Sequence, residues 1–281
     1  MADPDVNTLI AETIDGSQTI SLVDGRRISF VDLGDKDGRP LLHFHGTGFS
    51  ALEALTGARL AFDAGVRLIS FDRPGFGGST PSPNRDLGSV AHDAMVLADY
   101  LGLDHFAVSG FSGGVPHALA TAALADSRCR HVLGINTAGD AGAEAWREIS
   151  PTARALIWVM TMRPIAKRAW PWMFADIPAM LSVGGSAMTK AVLAAAFSHG
   201  SARGHDATLE ELALFYRRGW GDPWQGLKAP VTLFHGRQDG LLPFAHALAA
   251  QHRGTTLVEI SGKHMDWTTA TVWRRLLAKV S

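Results

Sequence analysis

A serine, a carboxylate and a histidine, met in that order along one chain, can cleave a carbonyl compound through a covalent intermediate. Ser112 stands in Gly110-Phe111-Ser112-Gly113-Gly114, a G-x-S-x-G stretch. An apolar run precedes it and a helical pattern follows, the strand–turn–helix context that exposes a nucleophilic serine on a sharp turn. A serine hydroxyl is weak at its free pKa, so it needs a base, and the base needs an orienting acid. His264 lies in Ser261-Gly262-Lys263-His264-Met265, directly after the last strand-like run. The chain has 12 histidines, and His264 is the one that follows that run in a short loop. Asp239 lies in Gly236-Arg237-Gln238-Asp239-Gly240, just past the strand-like run before it. Asp140, just past the run 130–135, is the alternative acid.

Attack by a serine puts negative charge on the carbonyl oxygen, and two fixed N–H donors would hold it. One is expected from Gly113, next after the nucleophile. The other is expected from Thr47, in the early strand-to-helix loop after His45-Gly46. His45 reads as a residue that orients this loop rather than one that moves a proton. Two patterns imitate other chemistry. Gly46-Thr47-Gly48-Phe49-Ser50-Ala51 with Asp72 resembles a dinucleotide fingerprint. A hairpin precedes its strand, however, and that reading leaves Ser112, Asp239 and His264 unused. His43-Phe44-His45 puts two histidines on one strand face, but no nearby Asp or His completes a metal ligand set.

The elements that must position these residues follow from periodicity. Residues 19–23 and 27–33 alternate about Asp24-Gly25 as a hairpin. Strands are expected at 41–45, 66–71, 105–109, 130–135, 231–235 and 256–260. Helices are expected at 51–62, capped by Ser50, then at 86–100, 115–125, 244–252 and 266–279. Such alternation makes a parallel sheet with helices on both faces. It stops between 138 and 225, where only helical patterns occur. That stretch holds six of the eight tryptophans (Trp146, Trp158, Trp170, Trp172, Trp220, Trp224) and five of the eight methionines, a composition suited to a helical cap with an apolar inner side. Pro164, Pro171 and Pro178 punctuate its helices, and Gly184-Gly185 reads as a hinge.

The bulk properties exclude several classes. A net charge of −1 without a cationic block argues against a nucleic-acid surface. The single cysteine, Cys129, excludes an intrachain disulfide or a thiolate cluster. Residues 1–10 lack the features of a signal peptide, and the longest nearly uninterrupted apolar run, 155–162, is too short to cross a bilayer. A cytoplasmic protein is expected.

The set His45-Gly46, Asp72-Arg73-Pro74-Gly75-Phe76-Gly77-Gly78-Ser79, Gly110–Gly114, Asp239 and Gly262-Lys263-His264 resembles the α/β-hydrolase superfamily, in its capped, single-domain esterase-like branch. The resemblance implies a mostly parallel eight-stranded sheet flanked by helices, with a core of 1–137 and 226–281 and an inserted cap at 138–225. It also implies chemistry without cofactor or metal. Many members carry proline after the His-Gly pair where this chain has Gly48, so a more mobile loop is expected. Serine rather than aspartate at position 112 favours attack on a carbonyl. The expected activity is hydrolysis of an ester-like bond in an apolar small molecule. A C–C hydrolase or a lactonase would use the same residues, and a non-catalytic small-molecule receptor could share the fold.

Overall fold

The computed structural model describes residues 5–83, 85–140, 144–173, 186–222 and 225–280. Eight strands form one sheet: β1 (Gln18–Ser21), β2 (Arg27–Gly34), β3 (Arg39–Phe44), β4 (Val66–Phe71), β5 (Phe106–Phe111), β6 (Cys129–Ile135), β7 (Val231–Gly236) and β8 (Thr255–Ile260). Their order is β1-β2-β4-β3-β5-β6-β7-β8. The hairpin β1–β2 and the pair β2–β4 are antiparallel, and every pairing from β4 to β8 is parallel. The mixed, mostly parallel sheet is that of the α/β hydrolase fold.

Alternation along each strand feeds two apolar layers. Leu42, Ile69, Val108, Val132 and Leu233 face one layer, closed by α3 (Leu87–Tyr100) and α4 (Gly114–Ala125). Their neighbours Leu41, Leu68, Ala107, Leu133 and Phe234 face the other. That layer is closed by the 3₁₀ helix Ala51–Thr56, by α2 (Ala58–Asp63) and by α10 (Ala270–Leu277), while α9 (Leu242–Gln251) connects β7 to β8. Burial on both faces explains why the central strands read as continuous apolar runs. Asp86 caps α3 through a reciprocal capping box with Ser89.

Several elements depart from the sequence reading. The helix expected at 51–62 is divided at Gly57 into the 3₁₀ helix and α2, and the Trp273 ring packs 2.4 Å from where a Cβ on Gly57 would stand. Ser50 occupies the cap position, but its hydroxyl does not cap. The helix expected at 266–279 is a 3₁₀ turn, Asp266–Thr268, followed by α10 with Thr269 as its cap. An N-terminal helix, α1 (Val6–Asp15), was not foreseen.

Between β6 and β7 the described residues contain no strand. They form a 3₁₀ turn (Glu144–Glu148), α5 (Pro151–Met160), α6 (Arg163–Met173), α7 (Ala187–Gly200), α8 (Asp206–Ala213) and a π-helical turn (Leu214–Arg218). Pro164 sits in the first turn of α6, where no N–H is needed, and α6 runs on through Pro171. Pro178 and Gly184-Gly185 lie outside the described residues, as do Met180 and Trp224 and the side chains of Trp170, Trp172 and Met173. Of the others, Met160 and Trp220 are buried, whereas Trp158 is 57% and Met188 46% exposed. The last two do not face an apolar interior. Among the described residues, no helix is long and apolar enough to cross a membrane.

Candidate active site

Ser112 stands between β5 and α4 with φ = 50°, a left-handed backbone rare for a residue with a side chain. The turn closes so tightly that strand and helix touch. A Cβ on Gly114 would lie 2.1 Å from the Phe44 carbonyl oxygen, and one on Gly110 would lie 2.5 Å from the Gly114 carbonyl. Ser112 N–H donates to Ile135 O at 2.9 Å, which ties the turn to β6.

The structure brings Ser112, His264 and Asp239 together. Ser112 Oγ is 2.9 Å from His264 Nε2, and His264 Nδ1 is 2.7 Å from Asp239 Oδ2. With Nδ1–H donating to the carboxylate, Nε2 is left to accept from the serine hydroxyl. Leu241 N–H donates to Asp239 Oδ1 at 3.0 Å, and His235 Nε2 lies 2.9 Å from Oδ2. Burial opposes the charge on Asp239, but His235 and His264 outweigh it and hold the carboxyl well below its ordinary range. Asp140 is placed elsewhere: its Oδ1 accepts the Trp220 N–H at 3.2 Å. The His264 ring stands 5.2 Å from the Phe111 ring, which stacks at 4.6 Å on Trp267.

Sequence reasoning missed Asn136. It follows β6 directly, with φ = 43°. Its Oδ1 accepts the Gly236 N–H at 2.8 Å, and its Nδ2 donates to His264 O at 2.6 Å. One amide side chain therefore fixes the end of β7 and the histidine loop relative to the serine turn. An asparagine next after a strand was the signal available.

The Thr47 loop is anchored at three points. Glu53 Oε2 accepts Gly46 N–H at 3.0 Å, Asp72 Oδ1 accepts Ala51 N–H at 2.7 Å, and Thr47 Oγ1 donates to Glu211 at 2.8 Å. The mobility expected from Gly48 is not what this geometry suggests. Gly48 has φ = 88°, which proline cannot adopt. His45 Nδ1–H donates to Gly46 O at 2.8 Å, and its Nε2 accepts Arg73 N–H at 3.2 Å. Burial first, and the Arg73 cation second, push its pKa well below the ordinary imidazole value. A neutral ring with both nitrogens committed to backbone groups orients the loop. His43 is likewise spoken for, by Ser109 at 2.8 Å and Glu53 at 3.1 Å. Asp72 also accepts Gly78 N–H at 2.9 Å, so the carboxylate of the dinucleotide-like pattern is occupied within its own loop. Among the described residues no cluster of His, Cys, Asp and Glu could hold a metal ion.

Residues 39–266 match the alpha/beta hydrolase fold family. The chain belongs to that family. Within it, the chain is similar to the non-heme chloroperoxidase of Streptomyces lividans, with 24% identity over 235 residues, 82% of this chain and 84% of that protein. Among solved structures it superposes on a carboxylesterase of the thaumarchaeon Nitrososphaera gargenis with a TM-score of 0.72. The identity there is 15%, with 93% of this chain and 97% of that one covered. A bromoperoxidase from Bacillus anthracis superposes with a TM-score of 0.71 at 18% identity, covering 94% and 98% of the two chains. At such identities the structural likeness speaks for the fold alone.

Proposed function

We propose that this α/β-hydrolase family member is a serine hydrolase that cleaves an ester-like bond in a small apolar molecule. The observation that carries this reading is the relay from Ser112 Oγ through His264 to Asp239, at 2.9 and 2.7 Å. Ser112 Oγ attacks the carbonyl carbon as His264 Nε2 takes its proton. Asp239 holds the ring in the required tautomer and stabilises the imidazolium. The N–H groups of Gly113 and Thr47 hold the oxyanion. Collapse of the tetrahedral species expels the alcohol, protonated by His264. Water activated by the same histidine then releases the acid from Ser112. In this reading residues 138–225 are a cap over the core at 1–137 and 226–281, and they choose the substrate.

The sequence similarity to a non-heme chloroperoxidase supports a second acceptor for the same acyl-enzyme. Hydrogen peroxide in place of water would give a peroxy acid and free serine, without a change in the residues used. A panel of p-nitrophenyl esters of graded chain length, with and without peroxide, tests both. Wild type is expected to hydrolyse the short esters and to be labelled by a fluorophosphonate. Ser112→Ala is expected to lose about 10⁴-fold or more in kcat and all labelling. Retained esterase activity in Ser112→Ala would sink the reading, and an unlabelled, inactive wild type would favour the receptor alternative.

A further inference from the structure

Glu211 lies on α8, between β6 and β7, yet it is fully buried. Nothing in its sequence neighbourhood marks it. Its Oε2 accepts from Thr47 Oγ1 and from Arg73 Nη2, both at 2.8 Å, and its Oε1 accepts from Arg73 Nε at 2.7 Å. Arg85 Nη2 at 3.6 Å and His117 Nε2 at 3.4 Å also face Oε1. Arg73 extends the reach: its Nη1 donates to His45 O, and its backbone N–H donates to His45 Nε2. One carboxylate therefore grips His45-Gly46-Thr47 at both ends, directly at the Thr47 hydroxyl and through Arg73 at the His45 carbonyl.

Stability alone is a poor reason for such a cluster, because buried ion pairs often contribute little against an apolar replacement. What a bidentate arginine–carboxylate pair does supply is direction. Its direction here is toward the two proposed donors. A Cβ placed on Gly113 would lie 2.0 Å from Thr47 Oγ1 and 2.7 Å from the Phe215 ring. Phe215 is four residues beyond Glu211, at the start of the π-helical turn. Residues four apart share a helix face, so Glu211 and Phe215 present one surface to Thr47 and Gly113.

We propose that Glu211 is a positioning residue of the oxyanion hole: it fixes the Thr47 donor against Gly113 from an element outside the sheet. The inference rests on the serine-hydrolase reading above. Oxyanion donors act on charge that develops in the transition state, so their misplacement lowers kcat more than it raises KM.

The test uses p-nitrophenyl acetate and four variants of the full chain: Thr47→Val, Thr47→Ser, Glu211→Gln, and Thr47→Val with Glu211→Gln. Thr47→Val keeps the shape and the N–H but removes the hydroxyl that Glu211 holds. Its kcat is expected to fall about tenfold with KM within about twofold of wild type. Thr47→Ser, which restores a hydroxyl, recovers most of that loss. Glu211→Gln falls at least as far, and the double variant is no worse than Glu211→Gln alone, because both break one link. Should Glu211→Gln fail to fold, the Thr47 pair decides by itself. A wild-type kcat for Thr47→Val overturns the proposal, and so do losses that simply multiply in the double variant. Fluorophosphonate labelling of wild type separates the two levels. Labelling with an unaffected Thr47→Val removes the positioning role alone, whereas absence of both labelling and turnover removes the hydrolase reading and the inference with it.

Discussion

Asp239 carries two histidines against one carboxylate oxygen, His264 at 2.7 Å and His235 at 2.9 Å. Its charge is held into strongly acidic solution, so its own titration does not shape a pH–rate profile near neutrality. Asp239→Asn keeps the shape and removes the acceptor that selects the histidine tautomer. A drop in kcat of about 10³–10⁴ is expected, with the fold intact by circular dichroism. Asp140→Asn should leave turnover near wild type, since Asp140 accepts from Trp220 rather than from His264. Ser112, Asp239 and His264 were legible in the sequence as candidates, because each follows a strand in a loop of recognisable composition, and the structure brings their side chains together. Asn136 and Glu211 were not. Their partners lie 128 residues away at His264 and 164 away at Thr47, and no local pattern encodes a contact across that distance. Arg73 has partners just as distant, Glu211 lying 138 residues away, so its motif carries no sign of its role.

At the scale of elements, the sheet was readable because buried parallel strands leave apolar runs between glycine-rich turns. The β4 bounds agree with expectation, and β6, β7 and β8 differ by a residue at one end. The misreadings have tertiary causes. Periodicity continues across Gly57, where the segment divides into a 3₁₀ turn and α2 and the Trp273 ring packs on the glycine, a tertiary contact that no local pattern encodes. The segment between β6 and β7 was readable as helical and no further, since its apolar residues divide between burial at Met160 and exposure at Trp158. The turn from β5 into α4 is the junction most sensitive to substitution. Gly114→Ala would bring a Cβ to 2.1 Å from the Phe44 carbonyl, a backbone atom that cannot step aside. A loss of roughly 2–4 kcal/mol is expected, read as a lower urea midpoint with an unchanged slope.

At the scale of the molecule, the junction of α4, α8 and the Thr47 loop sets an acid limit. His117 is fully buried, and burial outweighs the neighbouring Glu211 carboxylate to push its pKa down to about 4. Arg73 and Arg85 add to that shift. His45 is lowered as well. An unfolded chain protonates histidine near 6.5, so from there down to about 4 the unfolded state binds more protons than the native state. Stability must fall as pH falls through that window. Glu211, held well below its ordinary range by Arg73 and Arg85 against the effect of burial, adds a further loss where unfolded glutamate takes up its proton. Between pH 7.5 and 5.0, urea unfolding should show a loss of about 2 kcal/mol from His117, and His45 adds to it in the same direction. His117→Gln, which cannot be protonated, should flatten the dependence. The wide separation of nucleophile and base has a consequence in time. His264 follows Ser112 by 152 residues, and the strand that carries its loop pairs with β7, not with the strand that leads to the serine. A ribosome adding about 5–20 residues each second needs roughly 8–30 s to travel that interval. Throughout it the serine turn exists without the histidine that, on the serine-hydrolase reading, activates it. On that reading a growing chain passes through synthesis chemically silent, and the appearance of fluorophosphonate reactivity is expected to mark the moment its final strands have docked.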